Sequence, residues 1–359
     1  MAQTWPAVLT ALLAGNDLTA EAAEWAMAEI MSGDATPAQV AGFVIALRAK
    51  GETAAEIGGL VASMLRAAVR FQVPGPALDV VGTGGDRAHT VNISTMAALV
   101  AAGAGVPVVK HGNRAASSKT GTADVLEELG LAISLPPAAV LRCIAEVGIG
   151  FCFAAAFHPA MRHAGPTRSQ LGVPTVFNVL GPLANPAQPA AALIGCADLR
   201  LAPILAEVLA ARGTRAMVVR GEDGLDEITT SGPTAIWDVT GSQVVADRFD
   251  PIDLGIARPA AGALRGDDAA FNAAVLRDVL AGGTDGNLRA VRDAVVVNAA
   301  AALVAFDAVT GSRTYGARPA SLTERIGNAL PVAISSIDSG STHRVLEEWV
   351  RLSSSLAPG

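Results

Sequence analysis

The sequence predicts an α/β fold, with a small helical domain leading a larger α/β domain built on a mainly parallel central sheet. Three observations predict it. Residues 1–72 read as helices joined by short turns, with no strand pattern among them. From Pro74 onward, short apolar runs alternate with helical stretches over 73–359, the pattern of buried strands covered on both faces by helices. Hydrophobic residues make up 51% of the 359 positions and charged ones 16%, so the chain can fill a large core and general disorder is excluded.

The helical part is written in its caps. Thr36-Pro37-Ala38-Gln39 is a capping box with proline at the first helical position, and Thr53-Ala54-Ala55-Glu56 is a second box. Gly33 and Gly51 stand where helices end. Val40, Phe43, Val44 and Leu47 recur at helical spacing, which buries one face. No candidate catalytic group stands out here, so a packing or dimer-forming role is expected.

The apolar runs 78–81, 106–109, 149–153, 191–194 and 216–219 are the expected strands. Ligands of such sheets bind beyond the carboxyl ends of the strands, so the loops there are the informative ones. Ser321-Leu322-Thr323-Glu324 opens a further helix with a capping box, and 342–352 reads as the last.

A formal charge of −7 disfavours a nucleic-acid partner, because a phosphate backbone needs a broad basic face. Any phosphate must be held in a local pocket. Cys143, Cys152 and Cys196 form no CxxC pair and no metal-ligand spacing, which fits a reducing cytoplasm. Residues 1–15 contain no basic residue, so no signal peptide is expected. The uncharged stretch 90–109 is long enough to span a bilayer, yet it holds Asn92, Ser94, Thr95, Gly103, Gly105 and Pro107. A helix, a glycine turn and a buried strand explain it, and no membrane association is expected.

Four motifs carry chemistry. Gly82-Thr83-Gly84-Gly85-Asp86 follows the first expected strand; glycines let amide N–H groups approach phosphate oxygens, though such a segment is also a common plain turn. Asn92-Ile93-Ser94-Thr95 follows at a helix start, where free N–H groups and hydroxyls favour anions. Lys110-His111-Gly112-Asn113-Arg114-Ala115-Ala116-Ser117-Ser118-Lys119 places three cations and two hydroxyls in a strand-to-helix loop, extended by Thr120, Gly121 and Thr122. A surface charge run is the alternative, but in an acidic chain a polyanionic ligand is the better reading. The third segment holds His158-Pro159, Arg168 and 175–183. Arg168 is either a bidentate carboxylate clamp or an ordinary ion-paired arginine, and His158 alone reads as structural. Gly224-Leu225-Asp226-Glu227 is either a solvated turn or a loop whose two acids converge on a hard cation such as magnesium.

Together these motifs resemble the anthranilate phosphoribosyltransferases. The resemblance runs over nearly the whole chain and rests on GTGGD, NIST, KHGNRAASSKTGTAD, HPAMRHAGPTRSQLGVPTVFNVLGPLANP and GLDE in this order. It implies a nucleoside phosphorylase/phosphoribosyltransferase-like fold, usually a homodimer, that joins anthranilate to phosphoribosyl pyrophosphate with Mg2+ in tryptophan biosynthesis. It implies that Gly82, Gly85, Asp86, Thr90, Asn92, Ile93, Ser94, Thr95, the loop from Lys110 to Ser118 and Thr122 bind phosphoribosyl pyrophosphate. Asn113 and Arg168 would hold anthranilate, with Gly82 at the boundary between substrates and His111, His158 and Pro182 along its access path. Ser94, Asp226 and Glu227 would hold magnesium. The small domain would also take in a later segment near 165–180.

Two departures stand out. Arg87 occupies a position where the family commonly has glycine, which bears on the flexibility of the pyrophosphate loop. Thr122 replaces the usual serine and keeps its hydroxyl. The chemistry calls for positioning and charge stabilisation, with no protein nucleophile and no assigned general base. Two rivals fit less well. A pyrimidine-nucleoside phosphorylase would carry KHSTGG- and SGRGLGHTGGT-type motifs that this chain lacks. A non-catalytic nucleic-acid-binding relative sits poorly with the acidic balance and the Asp226-Glu227 pair.

Overall fold

The computed structural model describes residues 3–115, 119–316 and 320–357. Helices α1 (Trp5–Leu13), α2 (Ala20–Ser32), α3 (Pro37–Lys50) and α4 (Ala54–Ala67) come first. Both expected capping boxes close reciprocally, Thr36 with Gln39 and Thr53 with Glu56. Gly33 ends α2 in the left-handed conformation, and Gly51 follows α3.

Then come β1 (Leu78–Gly82), α5 (Ile93–Gly103), β2 (Val108–Gly112), α6 (Thr122–Glu128), α7 (Pro137–Val147) and β3 (Ile149–Phe153). The short helices α8 (Ala154–Phe157), α9 (Gly165–Leu171) and α10 (Phe177–Leu180) lead to β4 (Ala191–Gly195), α11 (Ala202–Ala211) and β5 (Arg215–Gly221). After β6 (Thr234–Asp238) and β7 (Val245–Phe249), the chain ends in α12 (Ala269–Leu280), α13 (Leu288–Thr310), α14 (Leu322–Asp338) and α15 (Ser341–Leu356). The sheet order is β3-β2-β1-β4-β5-β6-β7. The pairs from β3 through β5 are parallel, and the two at the β6 and β7 end are antiparallel.

Two features differ from the sequence expectation. The second strand starts later than 106–109 and runs on through Lys110 and His111. An apolar run ends at its first charge, but here Lys110 is only 1% exposed and takes its hydrogen bonds inside the sheet. The antiparallel strands β6 and β7 escaped detection, because β7 is an edge strand with exposed Ala246, Asp247 and Arg248 in its middle.

One core packs β1, β2 and β3 with α5, α7 and the four C-terminal helices. The second joins α1–α4 to α11, the other face of β4 and β5, and Ala164, Val176, Phe177 and Leu180. Ion pairs fasten the α3–α4 turn to the loop after β4: Arg48 reaches Asp198 at 2.7 Å, and Arg200 reaches the buried Glu52. Helix α13 is long and apolar enough to cross a membrane by length and composition, and most of it is buried within the protein. The uncharged stretch 90–109 divides into α5, a turn and the start of β2.

Candidate functional site

A cleft of about 290 Å³ opens at the carboxyl ends of β1 and β2, where a parallel sheet places its ligands. The ends of β1 and β4 are both glycine and pair with each other, Gly82 with Gly195. The reason is steric. A Cβ on Gly195 would lie 1.6 Å from the backbone oxygen of Asp226, and one on Gly82 would lie 2.3 Å from its Oδ2. The 223–228 loop therefore crosses directly over both strand ends and brings its acids to the cleft.

The glycine loop closes over these acids. Gly84 and Gly85 have φ of 70° and 87°, a region that costs glycine little, and the Gly84 N–H donates to Asp226 Oδ2 at 2.7 Å. Arg87 also has a positive φ of 59°, as does His89 at 52°. A side chain in this region carries about 1 kcal/mol of strain, so the loop is held in shape at Arg87. Its support is a strand-like bridge: Val91 N–H donates to Leu264 O at 3.0 Å and Gly266 N–H to His89 O at 2.8 Å.

Burial pushes the Asp226 carboxyl well above the usual range, with repulsion from Glu227 and Asp86 adding to it. Burial also pushes Glu227 up to about 8; Lys110 and the Ser94 N–H and hydroxyl oppose that, and Asp86 adds to it. Such acids cannot all ionise without a counter-cation, and a hard dication bound by few carboxylates fits them. Among the described residues no group of three or more His, Cys, Asp or Glu side chains closes on one point. Magnesium takes substrate phosphates and water for much of its shell, so it needs few carboxylates from a protein.

The three cations of the Lys110–Lys119 segment are engaged within the protein. Lys110 donates to Val80 O and lies 3.4 Å from Ser94 Oγ, beneath the cleft floor. Arg114 pairs with Asp124 at 3.1 Å and Glu127 at 2.7 Å, and Lys119 with Asp267 at 2.5 Å. The last two are exposed pairs and weak ones, free to re-form around a ligand. Ala116, Ser117 and Ser118 lie outside the described residues.

His111 is buried and donates Nδ1–H to Gly181 O at 3.0 Å, because a carbonyl can only accept. Its Nε2 is buried and has no hydrogen-bond partner among the described residues. Burial pushes the ring down to about 3, so it is neutral, with the buried Nε2 as its acceptor nitrogen. Behind it, buried Asp79 accepts the His111 backbone N–H at 3.2 Å and Asn185 Nδ2 at 2.8 Å. The His158 ring lies tilted at 55° to that of His111, with centroids 5.2 Å apart, and donates Nε2–H to Ala184 O at 2.8 Å, a structural bond.

Of the expected residues, the cleft gathers Gly82, Gly85, Asp86, Thr90, Asn92, Ile93, Ser94, His111, Gly112, Asn113, Arg114, Ala115, Thr122, Asp226 and Glu227. Thr95 lies buried below it, 3.5 Å from the Thr122 hydroxyl. His158, Pro182 and Arg168 stand outside its lining, Pro182 buried in a 3-10 turn and Arg168 on α9. The Arg168 guanidinium is half-buried, sits 5.1 Å over the Phe177 ring, and has no anionic partner among the described residues. Burial disfavours its charge and the Phe177 ring face offsets that only in part, so an anion beside it would be favoured.

Asn178 lines the same cleft and was missed, although it stands in the 175–183 motif. Its Oδ1 accepts Thr175 N–H at 3.0 Å, and Asn113 Oδ1 accepts Arg114 N–H at 2.8 Å. Backbone N–H groups only donate, so each side-chain oxygen is fixed on its backbone partner and NH2 is the donor each residue can turn to a ligand.

The glycosyl transferase family model for the helical bundle domain matches residues 6–68, and that for the a/b domain matches 74–330. The anthranilate phosphoribosyltransferase of Salinispora arenicola is 56% identical, covering 99% of this chain and 98% of its own. That of Nocardioides sp. is 58% identical over 97% and 98%. The crystal structure of anthranilate phosphoribosyltransferase from Thermus thermophilus superimposes with a TM-score of 0.86 at 39% identity, covering 97% of this chain and 99% of that one. The enzyme from Saccharomyces cerevisiae in complex with PRPP and Mg gives 0.85 at 28% identity, with 98% of each chain covered.

Proposed function

The chain belongs to the anthranilate phosphoribosyltransferase family, and from that premise we propose that it transfers the phosphoribosyl group of phosphoribosyl pyrophosphate to anthranilate, releasing pyrophosphate, in tryptophan biosynthesis. The observation that carries this reading is one juxtaposition. The glycine loop, the start of α5 and the Asp226–Glu227 pair face a single cleft, which Asn113 and Asn178 also line.

In this reading the bond from the anomeric carbon to pyrophosphate breaks, that carbon gains positive character, and the aromatic amine attacks from the opposite face. Asp226, Glu227 and Ser94 would hold magnesium, which offsets pyrophosphate charge when bound. Amides of 82–86 and the N-terminal turn of α5 orient the phosphates. Neutral His111 leaves the developing cation unrepelled. An aromatic amine is weakly basic, so no general base is assigned. The small domain would include the segment near 165–180, whose Val176 and Phe177 share its core. A cytoplasmic homodimer is the matching setting, supported by three buried free cysteines and by exposed Leu13 and Ile45 on α1 and α3.

Anthranilate fluorescence should fall when protein, phosphoribosyl pyrophosphate and magnesium are combined. Persistent anthranilate together with phosphorolysis of thymidine or uridine would sink the assignment. Arg168→Ala tests the carboxylate site. Loss of its charge-assisted contact should cost about 2–3 kcal/mol, a rise in the anthranilate KM of roughly 30- to 150-fold. The phosphoribosyl pyrophosphate KM should stay level. Equal weakening of both substrates would assign Arg168 to the packing of α9 instead.

A further inference from the structure

Asn92 occupies the N-cap of α5, where an asparagine ordinarily turns its side chain back onto the helix amides. Here it makes no such capping bond. Its Oδ1 points the other way and accepts Asn272 Nδ2 at 3.0 Å, across 180 residues of sequence. Asn272 lies on α12, is 2% exposed, and lines no part of the cleft. Its own Oδ1 accepts the Asp267 backbone N–H at 3.0 Å.

The direction of this relay is forced. The Asp267 N–H can only donate, so Asn272 must turn its oxygen toward it. That leaves the Asn272 NH2 facing Asn92, which must answer with oxygen. The remaining half of the Asn92 amide is NH2, and Asn92 lines the cleft. The close fit needs glycine at 266, where a Cβ would lie 2.7 Å from Asn272 Oδ1 and 2.8 Å from Thr90 O.

We infer that Asn272 is a positioning residue that fixes the polarity of Asn92, so that a donor rather than a carbonyl faces the phosphates of the substrate. The inference rests on reading the cleft as the phosphoribosyl pyrophosphate site. It goes beyond that reading by naming a buried residue outside the cleft that sets its donor pattern.

Asn272→Asp inverts the relay with little change of shape. One carboxylate oxygen still accepts the Asp267 N–H. The other can only accept, so Asn92 turns over and shows its carbonyl to the phosphates. The phosphoribosyl pyrophosphate KM should rise at least about tenfold, the anthranilate KM should stay within about twofold, and calorimetry of phosphoribosyl pyrophosphate with magnesium should show the same loss. The added charge acts at a distance as well, so the deciding measurement is a double-mutant cycle. Asn92→Ala alone should weaken phosphoribosyl pyrophosphate a few-fold, and in that background Asn272→Asp should cost several-fold less than in the wild type, only the part carried by its distant charge remaining. Asn272→Ser, which buries no charge, should give a smaller rise that vanishes in the Asn92→Ala background, and it serves if the aspartate variant does not fold. The inference is overturned if either Asn272 variant acts as strongly without the Asn92 amide as with it, if both substrates weaken alike, or if neither changes. Wild-type protein that fails to bind phosphoribosyl pyrophosphate with magnesium would overturn the reading of the cleft itself.

Discussion

Replacing Asp226 with asparagine and Glu227 with glutamine together is expected to cut turnover by about a thousandfold or more, while the protein stays folded. Counter-charge to a departing pyrophosphate is worth several kcal/mol in the transition state, and each 1.36 kcal/mol is a factor of about ten. Both substitutions nearly preserve shape. They also remove buried acids whose charges repel each other and Asp86, which offsets the loss of Glu227 as a partner of buried Lys110, so the metal-free variant should melt close to the wild type. The amides can still bind a cation weakly, so added magnesium should restore part of the rate and move the optimum upward. A solvated turn predicts otherwise: near-normal turnover and an unmoved magnesium curve. Rate measured against magnesium concentration for both proteins separates the two, and an unshifted curve would remove Asp226 and Glu227 from the site.

The parts of this protein that local rules govern were legible in the sequence. A capping box spans four residues, and those at Thr36, Thr53 and Ser321 all form. The five parallel strands announce themselves as apolar runs because both their faces are buried. The register of β2 was not legible, since the cue that ends a strand, a charged residue, fails where Lys110 is buried against Val80 O and held between Asp79 and Glu227. The cleft motifs could be found because each is a short contiguous segment. What positions them could not. Asn272 reaches Asn92 across 180 residues, Asn185 reaches Asp79 across 106, and no spacing rule links either pair. Nor does composition tell which cations face a ligand. Arg114 and Lys119 look free in the sequence and are paired in the fold, while Arg168 looks ordinary and lacks a described anionic partner.

Gly195→Ala should abolish detectable turnover, with a larger loss of stability than Gly82→Ala, although both add one methyl at the same edge of the cleft. The difference lies in what the methyl meets. At 195 it would sit 1.6 Å from the backbone oxygen of Asp226 and 2.4 Å from its carbonyl carbon. Neither side can yield cheaply. Gly195 is paired to β1 through Gly82 and to β5 through Val219, with its flanking backbone bonded as well: Thr83 N–H to Gly195 O at 2.9 Å and Cys196 N–H to Val219 O at 2.9 Å. The 223–228 loop must therefore lift, carrying Asp226 from the Gly84 N–H and Glu227 from Ser94 and Lys110. Overpacking of this kind costs about 1–3 kcal/mol where neighbours relax and more where they cannot, so a lower melting temperature should accompany the lost rate. At 82 the methyl meets Asp226 Oδ2 at 2.3 Å and the backbone oxygen only at 3.3 Å. A carboxylate can swing aside, so Gly82→Ala should keep a near-wild-type melting temperature, lose the Gly84 bond, and need more magnesium for a reduced rate. Melting curves and magnesium titrations of the two variants test the pair. A fully active Gly195→Ala protein would mean that the acid loop does not rest on the strand ends, and the placement of Asp226 and Glu227 in the cleft would fall with it.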